Sequence, residues 1–328
     1  NYGVAYSSYF NTSTQEFQTE VVYDDSISSY MEFGYDVKRL GTNRLVFGAP
    51  SYTSSYTYQG AAFLFVQNST NQWVLEELFV SSDPRAYQYF GRSVTSLGDS
   101  CFAVGAYGDY DETDTMSYAG SVDVFCHDGD TWIQEAHLTA CDAYSSSYFG
   151  WEVAGLSPRA VSVSAYYRDT VYVFEVDASR NWTQTASWKS SQSSYYYYGY
   201  TLAAMGDDTV MVGDYYEYNS GSTNGYSTYY TGGVEVYMQS GPGAVWTLQA
   251  HLEASALGSY QYFGWSIAAL GSERAVIGAS RDGIVGSYVG AAYIFRRANG
   301  STWQHEDVLL PMSKQDRALG TSTYFGHA

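Results

Sequence analysis

Short apolar runs separated by polar turns, with no long periodic segment, set the character of this chain. Ser93-Val94 and Ser266-Ile267 open two such runs. Phe102-Ala103-Val104 and Ala275-Val276-Ile277 are the runs that answer them. Between each pair lies a polar turn with a glycine, Leu97-Gly98-Asp99-Ser100 in one place and Leu270-Gly271-Ser272-Glu273 in another, with Met205-Gly206-Asp207-Asp208 a third example. Two short β-prone runs joined in this way predict a hairpin. A third run opens at a glycine and alternates, as from Gly60 to Phe65 and from Gly290 to Phe295. A fourth opens at a tryptophan, as from Trp132 to Leu138. The pattern predicts four-stranded antiparallel meanders, and no segment has the 3.6-residue period of an amphipathic helix.

These meanders repeat. An aromatic-glycine pair recurs at Phe33-Gly34, Phe90-Gly91, Phe149-Gly150, Tyr198-Gly199, Phe263-Gly264 and Phe325-Gly326, with spacings of 57, 59, 49, 65 and 62 residues. A second marker follows the aromatic by 15 residues in all five complete cases, beginning at Gly48, Gly105, Ser164, Gly213 and Gly278. A third marker is Trp73, Trp132, Trp182, Trp246 and Trp303 in turn, with Phe17 in its place at the start. One meander cannot bury both of its faces, whereas radially stacked meanders can. The predicted fold is all-β, a single β-propeller over 1–328. Its units are 1–32 (strands 3 and 4 only), 33–89, 90–148, 149–197, 198–262, 263–324 and 325–328, the start of the next. Six repeat units are visible, one of them split between the termini, for six or seven blades when complete. The missing strands imply either a longer chain or completion of the split blade by self-assembly, since an open blade edge invites strand addition.

Composition narrows the choice of partners. Thirty-four acidic residues against 15 basic ones give a formal charge of −19, which repels phosphate backbones and anionic lipid and argues against nucleic acid. No run approaches the roughly 18 apolar residues of a membrane helix, so no membrane insertion is expected. The chain has 36 tyrosines, and 27 of them fall in the 2–3 and 4–1 connections, which share one face of a propeller. Tyrosine joins an apolar ring to a hydrogen-bonding tip and suits protein or glycan contacts. Tyr52, Tyr56, Tyr58, Tyr110, Tyr215, Tyr216, Tyr218, Tyr226, Tyr229, Tyr230 and Tyr288 are the candidates for such a face; the alternative is that long loops pack on themselves. The tyrosine before each aromatic-glycine pair (Tyr89, Tyr148, Tyr197, Tyr262, Tyr324) is read as structural.

The three markers resemble the FG-GAP repeat, the repeat of integrin α-subunit heads and of many secreted proteins. The phrase from Trp132 to Ala140, followed by Tyr148-Phe149-Gly150, is similar to the short-turn subfamily. The resemblance implies a propeller, commonly of seven blades, with Ca²⁺ in a DxDxDG-type loop between strands 1 and 2. Here those turns are short and poor in carboxylates, so Ca²⁺ is not expected in them.

The remaining chemistry is sparse. Four N-x-S/T sequons, at Asn11, Asn68, Asn181 and Asn299, fall in the same 3–4 hairpin position, which predicts N-linked glycans and an extracellular location, secreted or at the cell surface. Cys101 and Cys126 lie at facing ends of paired strands and predict a disulfide; Cys141 is left over. Asp109, Asp111 and Asp114 form an acidic loop that could hold Ca²⁺ but needs no metal. His137 and His251 share one repeat position, which suggests a strand surface. With no HExxH, GxSxG, phosphate loop or CxxC, no cofactor or catalytic residue is assigned. The expected function is that of a non-catalytic extracellular structural or interaction protein, with a lectin as the alternative. A calcium-dependent adhesin, or an enzyme whose site is assembled across blades, stands third.

Overall fold

A computed structural model describes residues 5–11, 16–28, 30–111, 113, 115–191, 197–218, 222–223, 226–227, 230–241, 243–255, 260–283, 289–298, 300, 302–311 and 325–327, with the backbone alone for 5–11, 16–20, 222–223 and 226–227. The described residues form five four-stranded antiparallel sheets. The first runs Val37–Leu40, Arg44–Ala49, Ala61–Gln67, Trp73–Phe79, and the second Ser93–Leu97, Cys101–Ala106, Ser121–His127, Trp132–Leu138. The third comprises Phe149–Ser157, Ala160–Ala165, Thr170–Val176 and Trp182–Lys189. The fourth is Thr201–Ala204, Thr209–Asp214, Gly233–Met238, Thr247–Leu252, and the fifth Phe263–Leu270, Arg274–Ala279, Ala291–Ala298, Thr302–Leu309. Within each sheet the strands neighbour one another in chain order. Ala5–Asn11 pairs with Glu16–Val22 as a separate hairpin, and Ser222–Thr223 with Tyr226–Ser227. This is the build of a β-propeller.

The chain divides into two compact units, Asn1–Pro158 with Asp177–Trp182, and Arg159–Val176 with Thr183–Ala328. In the first unit, Phe33, Phe47, Phe63 and Phe65 pack on one another in the core of the first sheet. Phe79, Phe90, Phe102, Phe125 and Trp132 form the core around the second. In the second unit Phe263, Tyr293 and Phe295 gather with Val234, Val236 and Ile277. The aromatic of each of these markers is thus a core residue of its own sheet.

One contact explains why two of the markers are glycines. The Gly48 backbone of the first sheet lies against Gly91, which opens the second; a Cβ on Gly48 would stand 2.0 Å from the Gly91 carbonyl oxygen. Gly105 meets Gly150 in the same way at 2.1 Å, and in the second unit Gly278 meets Gly326 at 2.0 Å. Beside it, the glycine that opens each third strand bridges to the next aromatic in parallel: Gly60 to Phe90, Gly120 to Phe149, Gly232 to Phe263 and Gly290 to Phe325. Backbones this close leave no room for side chains.

Candidate functional site

The two residues after each aromatic-glycine pair open the first strand of a sheet. In the first unit these are Tyr35-Asp36, Arg92-Ser93 and Trp151-Glu152. Side chains of one sheet take up backbone amides of the next. Asp36 Oδ2 accepts from the Val94 amide at 2.8 Å, Ser93 Oγ from Val153 at 3.1 Å and Thr95 Oγ1 from Gly155 at 2.8 Å. These bonds fix the three strand openings side by side and satisfy amides that no strand pairs.

A charged cluster sits on that frame. The Arg92 guanidinium lies 4.0 Å from the centre of the Trp151 ring and 4.6 Å from that of Tyr35, a double cation–π contact. Its Nη1 is 3.8 Å from Glu152 Oε2, an ion pair rather than a hydrogen bond. Lys38 donates to Asp36 Oδ1 at 2.5 Å. Burial of Glu152, reinforced by the Asp36 carboxylate, raises its carboxyl, and Arg92 and Lys38 pull it back only partly, so that it titrates at about 7. Burial depresses the Lys38 ammonium, but Asp36 and Glu152 outweigh it and the net shift is upward. The Glu152 side chain remains 20% exposed, Lys38 40% and Tyr35 49%. Tyr107 packs edge-on against Trp151 at 5.1 Å and stacks on Tyr89 at 4.9 Å, and Tyr89 stacks in turn on Tyr58. The arrangement provides a carboxyl near half ionisation at neutral pH, an accessible cation and aromatic walls, the parts of a general acid–base site.

The second unit holds another cluster, in the fourth sheet. Glu217 follows the second strand, and His251 and Glu253 lie at the end of the fourth. His251 Nε2 is 3.2 Å from Glu217 Oε1 and 3.4 Å from Glu253 Oε1. Nearby, Glu235 is buried as an acceptor, taking hydrogen bonds from the Tyr198 hydroxyl (2.7 Å), the Tyr237 hydroxyl (3.1 Å) and the Ser191 amide (2.9 Å). Tyrosine replaces the usual marker phenylalanine at 198 because a carboxylate is there to receive its hydroxyl.

The residues singled out in sequence fare unevenly. Asp109 is buried and accepts from Ser121 Oγ, while Asp111 accepts from the Thr115 and Met116 amides, so both carboxylates serve their own loop; Asp114 lies outside the described residues. Among the described residues the side chains grouped closely enough for a metal are instead Glu217, His251 and Glu253. The tyrosine face is corrected in part. Tyr215 is buried against Trp265 and Tyr200, Tyr52 packs on Phe63, and Tyr216 stacks on Tyr230 at 4.0 Å, because long loops cover their own apolar rings. Tyr56, Tyr58, Tyr110 and Tyr218 are exposed; Tyr229 and Tyr288, and the Tyr226 side chain, lie outside the described residues. Asn68 and Asn181 stand in hairpin turns, with Asn68 Oδ1 accepting from the Thr70 and Gln72 amides; the Asn11 side chain and Asn299 lie outside the described residues. Cys101 and Cys126 are register partners joined by a disulfide, and Cys141 is exposed. Sequence reasoning misses Asp36, Lys38, Arg92 and Glu152. For Asp36, Arg92 and Glu152 the signal is chemical variety at a fixed repeat position: Tyr-Asp, Arg-Ser, Trp-Glu, Tyr-Thr and Trp-Ser follow the successive glycines, and Lys38 lies two residues beyond Asp36.

Residues 73–125, 132–174 and 246–295 match the FG-GAP repeat model, so the chain carries FG-GAP repeats. No curated protein sequence matches it. Among solved structures it is similar to the periplasmic gluconolactonase PpgL of Pseudomonas aeruginosa, with 9% identity, a TM-score of 0.59, and 94% of this chain and 78% of that one covered. A Bacteroides uniformis protein named for 6-phosphogluconolactonase shares 8% identity at a TM-score of 0.58, covering 93% of this chain and 78% of its own. A functionally unknown Desulfotomaculum acetoxidans protein shares 10% at 0.58, covering 94% and 79%. At such identities the likeness shows the fold alone. The solved neighbours include proteins named as lactonases, which stands against the expected reading of this chain as a non-catalytic structural or interaction protein and against the assignment of no enzymatic activity, and neither is carried further. The missing motifs carried that reading, and a site drawn from one repeat position in several sheets leaves no local motif to find.

Proposed function

We propose that the chain is an extracytoplasmic hydrolase that opens small sugar lactones at the Asp36–Lys38–Arg92–Glu152 site. The observation that carries this reading is the Glu152 carboxyl, poised at about 7 beside two cations and aromatic walls. The lactonase names of the structural neighbours supply the substrate class. The Cys101–Cys126 disulfide, the hairpin sequons and the periplasmic setting of one neighbour support the compartment. Among the described residues no helix is long and apolar enough to cross a membrane.

In this reading ionised Glu152 takes a proton from water as the water oxygen bonds to the lactone carbonyl carbon. The carbonyl oxygen gains negative charge, which the Lys38 ammonium faces and stabilises. Collapse breaks the ring C–O bond, and Glu152 returns its proton to the departing ring oxygen, leaving a hydroxy acid. Arg92 positions Glu152 and holds Tyr35 and Trp151 flat, surfaces on which the C–H faces of a sugar ring can stack. The test is acid release from glucono-1,5-lactone in a pH-stat, above the spontaneous rate. Glu152→Gln is expected to lower kcat by about 10²–10⁴-fold, the range of a lost general base. Folded wild-type protein that leaves the spontaneous rate unchanged, or a variant as fast as wild type, rejects the assignment.

A further inference from the structure

The fourth sheet departs from the second at three repeat positions, and the departures meet in space. Where the second sheet has Asp109, Ser121 and Thr139, the fourth has Glu217, Gly233 and Glu253. In the second sheet Ser121 Oγ donates to Asp109 Oδ2 at 2.6 Å. In the fourth, the longer Glu217 fills the space that a side chain on residue 233 would need: a Cβ there would stand 2.2 Å from Glu217 Oε2 and 2.8 Å from His251 Cε1. The histidine changes partner as well. His137 Nδ1 makes a 2.6 Å hydrogen bond to Asp123 Oδ1. The counterpart of Asp123 is Glu235, whose carboxylate is taken up by Tyr198, Tyr237 and Ser191. His251 turns instead to the two new carboxylates.

We propose that Glu217, His251 and Glu253 form a binding site for a divalent transition-metal ion of the zinc class. Three features carry this. The nitrogen–oxygen separations of 3.2 and 3.4 Å match the edge of a tetrahedron, about 3.3 Å for metal–ligand bonds of about 2.0–2.1 Å. His251 Nδ1 is buried with no aligned hydrogen-bond partner among the described residues, while the buried Nε2 pairs with the two carboxylate oxygens. The imidazole and the two carboxylates thus already converge, each offering a ligand atom within 4.8 Å of the others. The Glu217 side chain is only 6% exposed and His251 22%, so packing holds these two ligands, while Glu253 is 32% exposed. Imidazole with two carboxylates selects zinc, cobalt or nickel over calcium and magnesium, which want oxygen alone. The fourth sheet is distinct from the Asp36–Glu152 site, and the two readings stand or fall separately.

The experiment uses the full chain, stripped with chelator and titrated with Zn²⁺ by calorimetry, with Co²⁺ as a spectroscopic probe. One Zn²⁺ per chain is expected, with visible Co²⁺ bands of tetrahedral intensity. His251→Gln and Glu253→Thr, the second installing the residue of the second sheet at a partly exposed position, are expected to weaken binding at least about 100-fold with circular dichroism unchanged. His137→Gln is expected to leave it intact. Absence of stoichiometric Zn²⁺ from folded protein overturns the proposal. So does binding that survives Glu253→Thr, binding lost with His137→Gln, or a site that prefers Ca²⁺.

Discussion

A carboxylate stands at position 152 where Ser93, Thr201 and Ser266 hold the same place in other sheets. A hydroxyl there needs only a hydrogen-bond partner, whereas an ionised carboxylate must also be desolvated. Burial and the neighbouring Asp36 charge raise Glu152 above its ordinary value, to about 7, so the folded chain holds this proton more tightly than the unfolded one. Between the unfolded value near 4.5 and about 7 the folded state binds more protons, and stability falls as pH rises through that window. Glu152→Gln removes the penalty. The variant is expected to match wild type near pH 4 and to exceed it by up to about 3 kcal/mol at pH 8, because each tenfold change in proton affinity is worth about 1.36 kcal/mol. Urea melts at the two pH values measure this, and an equal gap at both would show that the carboxyl is not perturbed. The same substitution that stabilises the fold is the one expected to slow turnover, the trade seen where a strained group serves catalysis. Position 152 is readable in sequence as one of two carboxylates, with Asp36, at a repeat position otherwise held by hydroxyls, but its shift depends on Asp36, Lys38 and Arg92, which lie in two other sheets.

At the level of the hairpin, the 15-residue interval from aromatic to second marker is the most legible feature of the chain, and the structure shows why it cannot vary. The two ends of the block are locked to different neighbours: the opening pair to the preceding sheet by the parallel bridge from its third-strand glycine, and the second marker to the following sheet by the glycine-on-glycine contact. Adding or removing one residue would displace one lock relative to the other. The 2–3 connections bear no such restraint and are where length varies. Gly105→Ala places a methyl 2.1 Å from the Gly150 carbonyl oxygen, a backbone atom that cannot step aside. A loss of about 3 kcal/mol or more is expected, at the upper end of overpacking effects. Gly241→Ala is the control, since a Cβ there meets nothing within 4 Å and its φ is ordinary. It is expected to be neutral or to stabilise slightly by restricting the unfolded chain. Thermal melts of the pair separate close packing from a general intolerance of alanine. Tyrosines in the left-handed region, such as Tyr89 at φ 56° and Tyr148 at φ 54°, are legible as recurrent but not as strained, because ring stacking across loops is what offsets their backbone.

For the molecule as a whole, local spacing reveals the repeats because each sheet is contiguous in the chain, while the candidate site stays hidden because Asp36, Arg92 and Glu152 are drawn one from each of three sheets. Fifty-six residues separate Asp36 from Arg92 and 60 separate Arg92 from Glu152, and no periodicity within a sheet points from one to the next. Net charge acts at this scale too. A field of −19 leaves the approach of a neutral lactone untouched and opposes the return of its anionic hydroxy-acid product. Salt shortens the reach of that field, with a Debye length of about 30 Å at 0.01 M and about 8 Å at 0.15 M. With glucono-1,5-lactone as substrate, kcat/KM is therefore expected to change less than about twofold over that range, since the encounter involves no charge on the substrate. Inhibition by added gluconate is expected to be weak in low salt and to strengthen as salt rises, the reverse of what a cationic binding groove would give. Initial rates at the two ionic strengths, with and without product, decide between them. Inhibition that weakens with salt would mean that Lys38 and Arg92 dominate the potential at the site, so that local cations rather than the acidic surface set the traffic of the product.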